Sequence, residues 1–261
     1  MGNSHHFGNN LGAALVLMPP FIFALVFYLG AVVKIVFSGK KWPFYRVIMW
    51  VLGVCCALAA VTGPIAERAH MNFTAHMIGH LLLGMLAPLL MVLSAPMTLI
   101  LKMVSVKFGG RLCLILKSKF VCFISRPMIA SFLNIGGLWL LYSSNLYHLM
   151  QENSLLHLAV HLHIFLAGYV FTSSIIFFDP APHRTSFLHR AAVFATALAG
   201  HGILAKYIYA HPPAGVPLDQ AEMGGMVMYY GGDMIDLVLI IIFCYQWYKE
   251  VRPVGAVDQF Y

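Results

Sequence analysis

Seven long apolar stretches, at about residues 13–37, 44–62, 73–93, 127–146, 154–178, 187–209 and 223–247, decide what this chain can become. A helix needs roughly 20 mostly apolar residues to cross a bilayer core. These stretches are too long for buried strands, and a helix satisfies its own backbone hydrogen bonds in lipid. Charged residues make up 10% of the 261 positions, against about 25% in ordinary soluble domains. The expectation is an all-α, polytopic membrane protein: one domain over residues 1–261 with seven transmembrane helices.

The basic residues orient it. With the N-terminus outside, only Arg68 and Lys206 of the 16 Lys and Arg fall on the outer side. The positive-inside rule therefore predicts N-out, C-in. The net charge of +7 is then mainly a topology signal, and no basic soluble domain is present for nucleic acid. The first ten residues lack the basic start of a secretory signal. Pro19 and Pro20 predict a kink or a late start in the first helix. The cytoplasmic connection at about 94–126 mixes apolar runs with spaced Lys and Arg, as an interfacial segment on anionic lipid does; docking of a cytoplasmic partner is the other reading. None of the five cysteines falls in an outer loop, so no disulfide framework is expected.

In that topology only His183 and His189 of the 13 histidines lie inside. His5, His6, His148 and His211 sit at exposed or interfacial positions where an imidazole is cheap. The helical ones cost more. His76 and His80 are four apart at the outer start of the third helix, and His157 and His161 are four apart at the start of the fifth. Residues at i and i+4 share a helix face, so each pair can aim two imidazoles at one point. His163 lies about 200° around the helix from His161; an undistorted helix turns either His163 or the 157/161 face inward. His201 adds an imidazole in the outer half of the sixth helix. Asp233 and Asp236 fall within the last helix, where a carboxylate must be paired, protonated or metal-bound. Met71, Met77, Met223, Met226 and Met228 lie nearby; thioethers favour Cu(I) but also serve as apolar filler. Adjacent Cys55 and Cys56 cannot share a helix face. Histidine is the commonest metal ligand, and no phosphate-binding loop, hydrolase triad or HExxH run accompanies these residues. The chemistry expected is coordination rather than catalysis, so an enzyme is not expected.

Several of these runs, in order, resemble the CtaG family of cytochrome c oxidase assembly factors, of the kind associated with caa-type oxidases. Residues 75–83 (AHMIGHLLL) lead through 85–88 (MLAP) to 93–99 (LSAPMTL). Residues 161–171 (HLHIFLAGYVF) are followed by 179–182 (DPAP), then by 199–204 (AGHGIL), and the last helix carries Gly224, Gly225, Met228, Gly232 and Asp233. The resemblance spans roughly residues 45–248. It implies a seven-helix protein of the bacterial inner membrane that supports copper insertion into a haem–copper oxidase. Copper, a periplasmic copper donor, oxidase subunits and membrane lipid are the implied cargo and partners. By resemblance the metal ligands include His76, His80, His163, His201 and Asp233; His157 and His161 join them from the residue spacing. Asp233 stands where the family often has Glu, and Tyr229 where Trp is common. Two other readings compete: a b-type haem electron carrier built on paired histidines, and a transporter using Asp233, Asp236 and Lys206.

Overall fold

The computed structural model describes residues 3–180 and 185–251, with side chains from residue 16 onward. His5, His6, His183, Arg184 and Arg252 fall outside the described side chains. Every regular element among the described residues is helical. In chain order these are α1 (Asn3–Phe37), α2 (Phe44–Val61), α3 (Gly63–Ala69), α4 (Phe73–Leu81), α5 (Ala87–Leu93), α6 (Pro96–Met103), α7 (Val106–Leu116) and α8 (Lys119–Ile124). Then come α9 (Pro127–Ser131), α10 (Gly137–Ser143), α11 (Leu146–Glu152), α12 (Ser154–Ile175), α13 (Phe187–Ala210) and α14 (Leu218–Val251).

Among the described residues, six helical stretches are long and apolar enough to cross a membrane: Val16–Phe37, Phe44–Ala69, Phe73–Leu93, Ser154–Ile175, Phe187–Ala210 and Leu218–Val251. The chain is thus a multi-pass membrane protein. The fourth expected stretch forms a shorter apolar helix, Pro127–Ser143. At 1.5 Å per residue it rises about 25 Å, short of the roughly 30 Å hydrocarbon core. It stops because Ser144 is extended (φ −115°, ψ −179°). The hydroxyls of Ser143 and Ser144 donate to the carbonyls of Trp139 and Leu140 at 2.6 and 2.5 Å, occupying the last turn. Helix α1 runs through Pro19 and Pro20 without ending.

Among the described residues, two helices carry π turns. Leu82–Leu86 joins α4 to α5, and Phe132–Gly136 joins α9 to α10. The first follows from Pro88, which has no N–H to return to the carbonyl of Gly84 and would crowd it in a regular helix. Helix α12 comes close at this point. A Cβ on Gly168 would lie 2.0 Å from the Gly84 carbonyl oxygen, so only glycine permits the approach.

Side-chain locks sort the loops onto two ends of the bundle. At one end the Phe73 N–H donates to Gln220 Oε1 (2.9 Å), tying the start of α4 to the start of α14. At the other, Asp179 accepts from the Met97 N–H (3.0 Å), the Thr98 N–H (2.7 Å) and the Thr98 hydroxyl (2.7 Å), capping α6. Its bonds hold the sharp turn at Ala95, whose φ is +52°. Arg190, beside the same end, is only 2% exposed. Its Nη1 donates to the Ile175 carbonyl at 2.8 Å, and its guanidinium sits 4.2 Å above the Phe177 ring. Between the ends, Phe73, Met77, Leu138, Tyr142, Ile164, Leu204 and Met228 belong to one apolar core. Around residues 94–126, Val106, Phe108, Leu114 and Phe120 project outward from α7 and α8.

Candidate functional site

The end tied by Phe73 and Gln220 also gathers the histidines. Helix α4 begins there because the Asn72 side chain caps it, accepting from the Ala75 N–H at 3.0 Å. Asn153 does the same for α12, accepting from the N–H groups of Leu155 and Leu156. Two capped helix starts at one level bring His76 and the 157/161 pair together. The His157 and His161 rings stack with centroids 4.0 Å apart. His70, just after α3, stacks on His157 at 5.1 Å. The His161 ring meets His76 edge-on at 6.2 Å. Four imidazoles from three segments thus form one continuous group.

Hydrogen bonds set their donor nitrogens. His161 Nδ1–H donates to the His157 carbonyl at 2.9 Å. A carbonyl only accepts, so Nε2 of His161 carries the lone pair. His76 Nε2 lies 3.1 Å from the Tyr142 hydroxyl; when Nε2–H donates, Nδ1 is left with the lone pair. A second partner that fixes the tautomer in this way is the usual support for a metal-binding imidazole. His157 Nδ1 is buried with no hydrogen-bond partner. Tyr147 packs on His76 at 5.1 Å, and burial pushes its phenol up to about 12, so it presents a neutral hydroxyl at pH 7.

One turn further along α4 lies a second group. His80 and His201 are 4% and 3% exposed, and Asp236 is 8% exposed. All three line a cavity of about 30 Å³ with Asn134, Thr172 and Leu198. Both ring nitrogens of His80 and Nε2 of His201 are buried without hydrogen-bond partners. Glycines make the room: a Cβ on Gly232 would lie 2.4 Å from His201 Cε1, and one on Gly84 would lie 3.4 Å from His80 Cε1.

The proposed ligands therefore divide. His76, His157 and His161 fall in the first group; His80 and His201 fall in the second. His163 belongs to neither: it is exposed, its Nε2–H donates to the Leu133 carbonyl at 3.1 Å, and its ring covers Gly137. Asp233 is exposed, near enough to act electrostatically on His201, while Asp236 lines the cavity. Met77 and Met228 are core residues, whereas Met71 and Met223 line an open surface groove with Glu67 and Arg68. Lys206 is exposed, its ammonium 5.1 Å above the Tyr229 ring. Sequence reasoning left His70, Tyr142 and Tyr147 unassigned. His70 carried the one available signal, its place on the histidine-rich side. Among the described residues no three His, Cys, Asp or Glu side chains converge in ligating geometry, so a bound ion would engage two imidazoles or draw a third by side-chain rotation.

These features define a helical multi-pass membrane protein with buried imidazoles collected at one end of its bundle. The chain belongs to the cytochrome c oxidase caa3 assembly factor family (Caa3_CtaG), whose family model matches residues 26–250. It is similar to an uncharacterized protein of Mycobacterium leprae (strain TN), 24% identical over 251 residues, covering 88% of this chain and 38% of the relative. It is also similar to uncharacterized proteins of Mycobacterium bovis and Mycobacterium tuberculosis, each 26% identical over 242 residues, covering 84% of this chain and 36% of the relative. The chain thus spans little more than a third of the length of these curated relatives. No solved structure matches it.

Proposed function

We propose that this protein supports assembly of a haem–copper cytochrome c oxidase by holding copper transiently at the His70, His76, His157 and His161 group. In this reading Pro127–Ser143 completes seven spans, the chain runs N-out and C-in in a bacterial cytoplasmic membrane, and the histidine end faces the periplasm. A periplasmic donor supplies the copper and an oxidase subunit receives it. The role is non-catalytic, with copper as cargo.

The observation that carries this reading is the continuous four-imidazole group, in which His161 keeps Nε2 as a lone-pair donor. Imidazole suits copper in either oxidation state. A site with few converging ligands releases its ion more readily than a closed cage, as a delivery protein requires. Met71 and Met223 in the adjoining groove add soft thioethers for Cu(I) where a donor would meet the surface. The haem alternative fits less well, since a cavity of about 30 Å³ beside His80 and His201 has no room for a macrocycle.

The test is complementation of a deletion strain, read as assembled oxidase and as copper bound by the purified protein. His157→Ala/His161→Ala is expected to lose both, and His163→Ala to keep both. Full oxidase assembly and full copper binding in the double variant would overturn the reading.

A further inference from the structure

We infer that the end of the bundle opposite the histidines binds the phosphate of one anionic lipid, held by Lys40, Arg46 and Lys102 around the Trp42 ring. The inference uses no residue of the copper reading and stands or falls apart from it.

Trp42 lies between the spans Val16–Phe37 and Phe44–Ala69. That places it at headgroup depth, where membrane proteins favour Trp. Its ring is fixed: Nε1–H donates to the Tyr28 hydroxyl at 3.3 Å, and that hydroxyl donates to the Ser94 carbonyl at 3.0 Å. Both aromatic side chains are buried. Cations from three segments meet on this floor. The Arg46 guanidinium, from the first turn of α2, lies 5.0 Å from the ring centroid, and the Lys102 ammonium, from the last turn of α6, lies 5.4 Å from it. Lys40, from the connection between α1 and α2, donates to the Lys102 carbonyl at 3.4 Å and so brings a third cation beside them.

Like charges gathered in this way repel, and no carboxylate offsets them. Residues 94–126 contain no Asp or Glu. Asp179 is occupied by the start of α6, and Glu250 lies 3.8 Å from Arg190. Among the described residues, none of Lys40, Arg46 and Lys102 forms an ion pair. The indole face offsets part of the repulsion but leaves the positive charge in place. Donors also remain open. Lys40 and Lys102 are exposed, and Arg46 commits only its Nε–H, to the Tyr45 hydroxyl at 3.3 Å. Its two Nη groups are left for the paired contact that a guanidinium makes to phosphate.

A phosphodiester at headgroup depth supplies what the cluster lacks, a negative charge with several acceptor oxygens. The surroundings favour a lipid over a free anion. A Cβ on Gly109 would lie 3.9 Å from Leu101 Cδ2, which sets α7 against α6 beside the cations. Helix α7 buries none of its residues and exposes Val106, Phe108 and Leu114. Acyl chains cover such a surface, as they do for helices that lie in the membrane plane.

The experiment is native mass spectrometry of the detergent-purified full-length protein, supplied with phosphatidylglycerol and phosphatidylcholine in equal amounts. Wild type is expected to retain one phosphatidylglycerol in preference to phosphatidylcholine. Each cation is worth about 5-fold in affinity for anionic lipid, so Arg46→Gln/Lys102→Gln should weaken that retention by about 30-fold. Lys107→Gln/Arg111→Gln removes the same charge from α7 and should keep it. Lys102→Gln alone, at an exposed position, should cost about 5-fold and serves as the readout if the double variant fails to fold. No preference for phosphatidylglycerol in wild type overturns the site. An equal loss in the α7 variant also overturns it, because the attraction would then belong to the whole basic surface. Displacement of the lipid by an equal concentration of inorganic phosphate overturns the lipid as the source of the anion.

Discussion

Replacing Gly168 by alanine should separate α12 from the π turn of α4 and α5, and the structure sets the size of the effect. The added Cβ would lie 2.0 Å from the Gly84 carbonyl oxygen and 3.0 Å from its carbon. An ordinary contact begins near 3.4 Å, so the backbones must part by about 1.4 Å along that line. Backbone on both sides cannot rotate away as a flexible side chain would. A gap of 0.5–1 Å already forfeits a quarter to a half of each dispersion contact, and overpacking typically costs about 1–3 kcal/mol. The higher helix propensity of alanine offsets roughly 0.5–1 kcal/mol. The net loss is about 1 kcal/mol, or roughly 5-fold in the folding equilibrium. Gly30→Ala on α1 is the control: nothing lies within 4 Å of its Cβ, so only the propensity gain of roughly 0.5–1 kcal/mol remains. Unfolding in mixed micelles of increasing denaturing detergent, followed by circular dichroism, measures both. Because α12 also carries His157 and His161, the Gly168 variant should lose copper affinity as well. Equal midpoints for the two variants would refute the close-approach argument.

Asp179→Ala removes the acceptor of three hydrogen bonds at the start of α6 and should cost about 3 kcal/mol, seen as a lower midpoint in the same titration; an unchanged midpoint would deny the cap its role. Tyr142→Phe takes the hydroxyl from His76; a lost supporting bond of this kind is worth about 10-fold in metal affinity, so Cu(I) competition should weaken by that factor while the helical spectrum is kept. His163→Ala should leave copper stoichiometry intact and cost about 1 kcal/mol for its bond to Leu133; loss of an ion would place His163 back among the ligands.

Much of this architecture is written locally. The long spans are visible because apolar length is a property of each segment alone, and the pairing of His76 with His80 and of His157 with His161 follows from 100° per residue. Gathering these histidines with His201 at one end follows from alternating the direction of successive spans. The π turn before Pro88 was equally within reach, since proline's missing N–H is a sequence fact. The shortness of Pro127–Ser143 was less so, because the serine hydroxyls that end it read as ordinary polar residues in an apolar run.

Tertiary packing decided the rest. Helix α12 could have turned His163 or the 157/161 face inward, and the choice fell with the approach of Gly168 to Gly84. Asp236 lines the cavity in place of its neighbour Asp233 because Gly232 admits the His201 ring beside it. Tyr142, which comes from a different helix, contacts both His76 and His80, a juxtaposition that spacing along α4 alone does not give. In a soluble helix the polar face would mark the outside. In a membrane both lipid and core are apolar, so composition names the helices and their ends, while the facing of each side chain is settled only where helices touch.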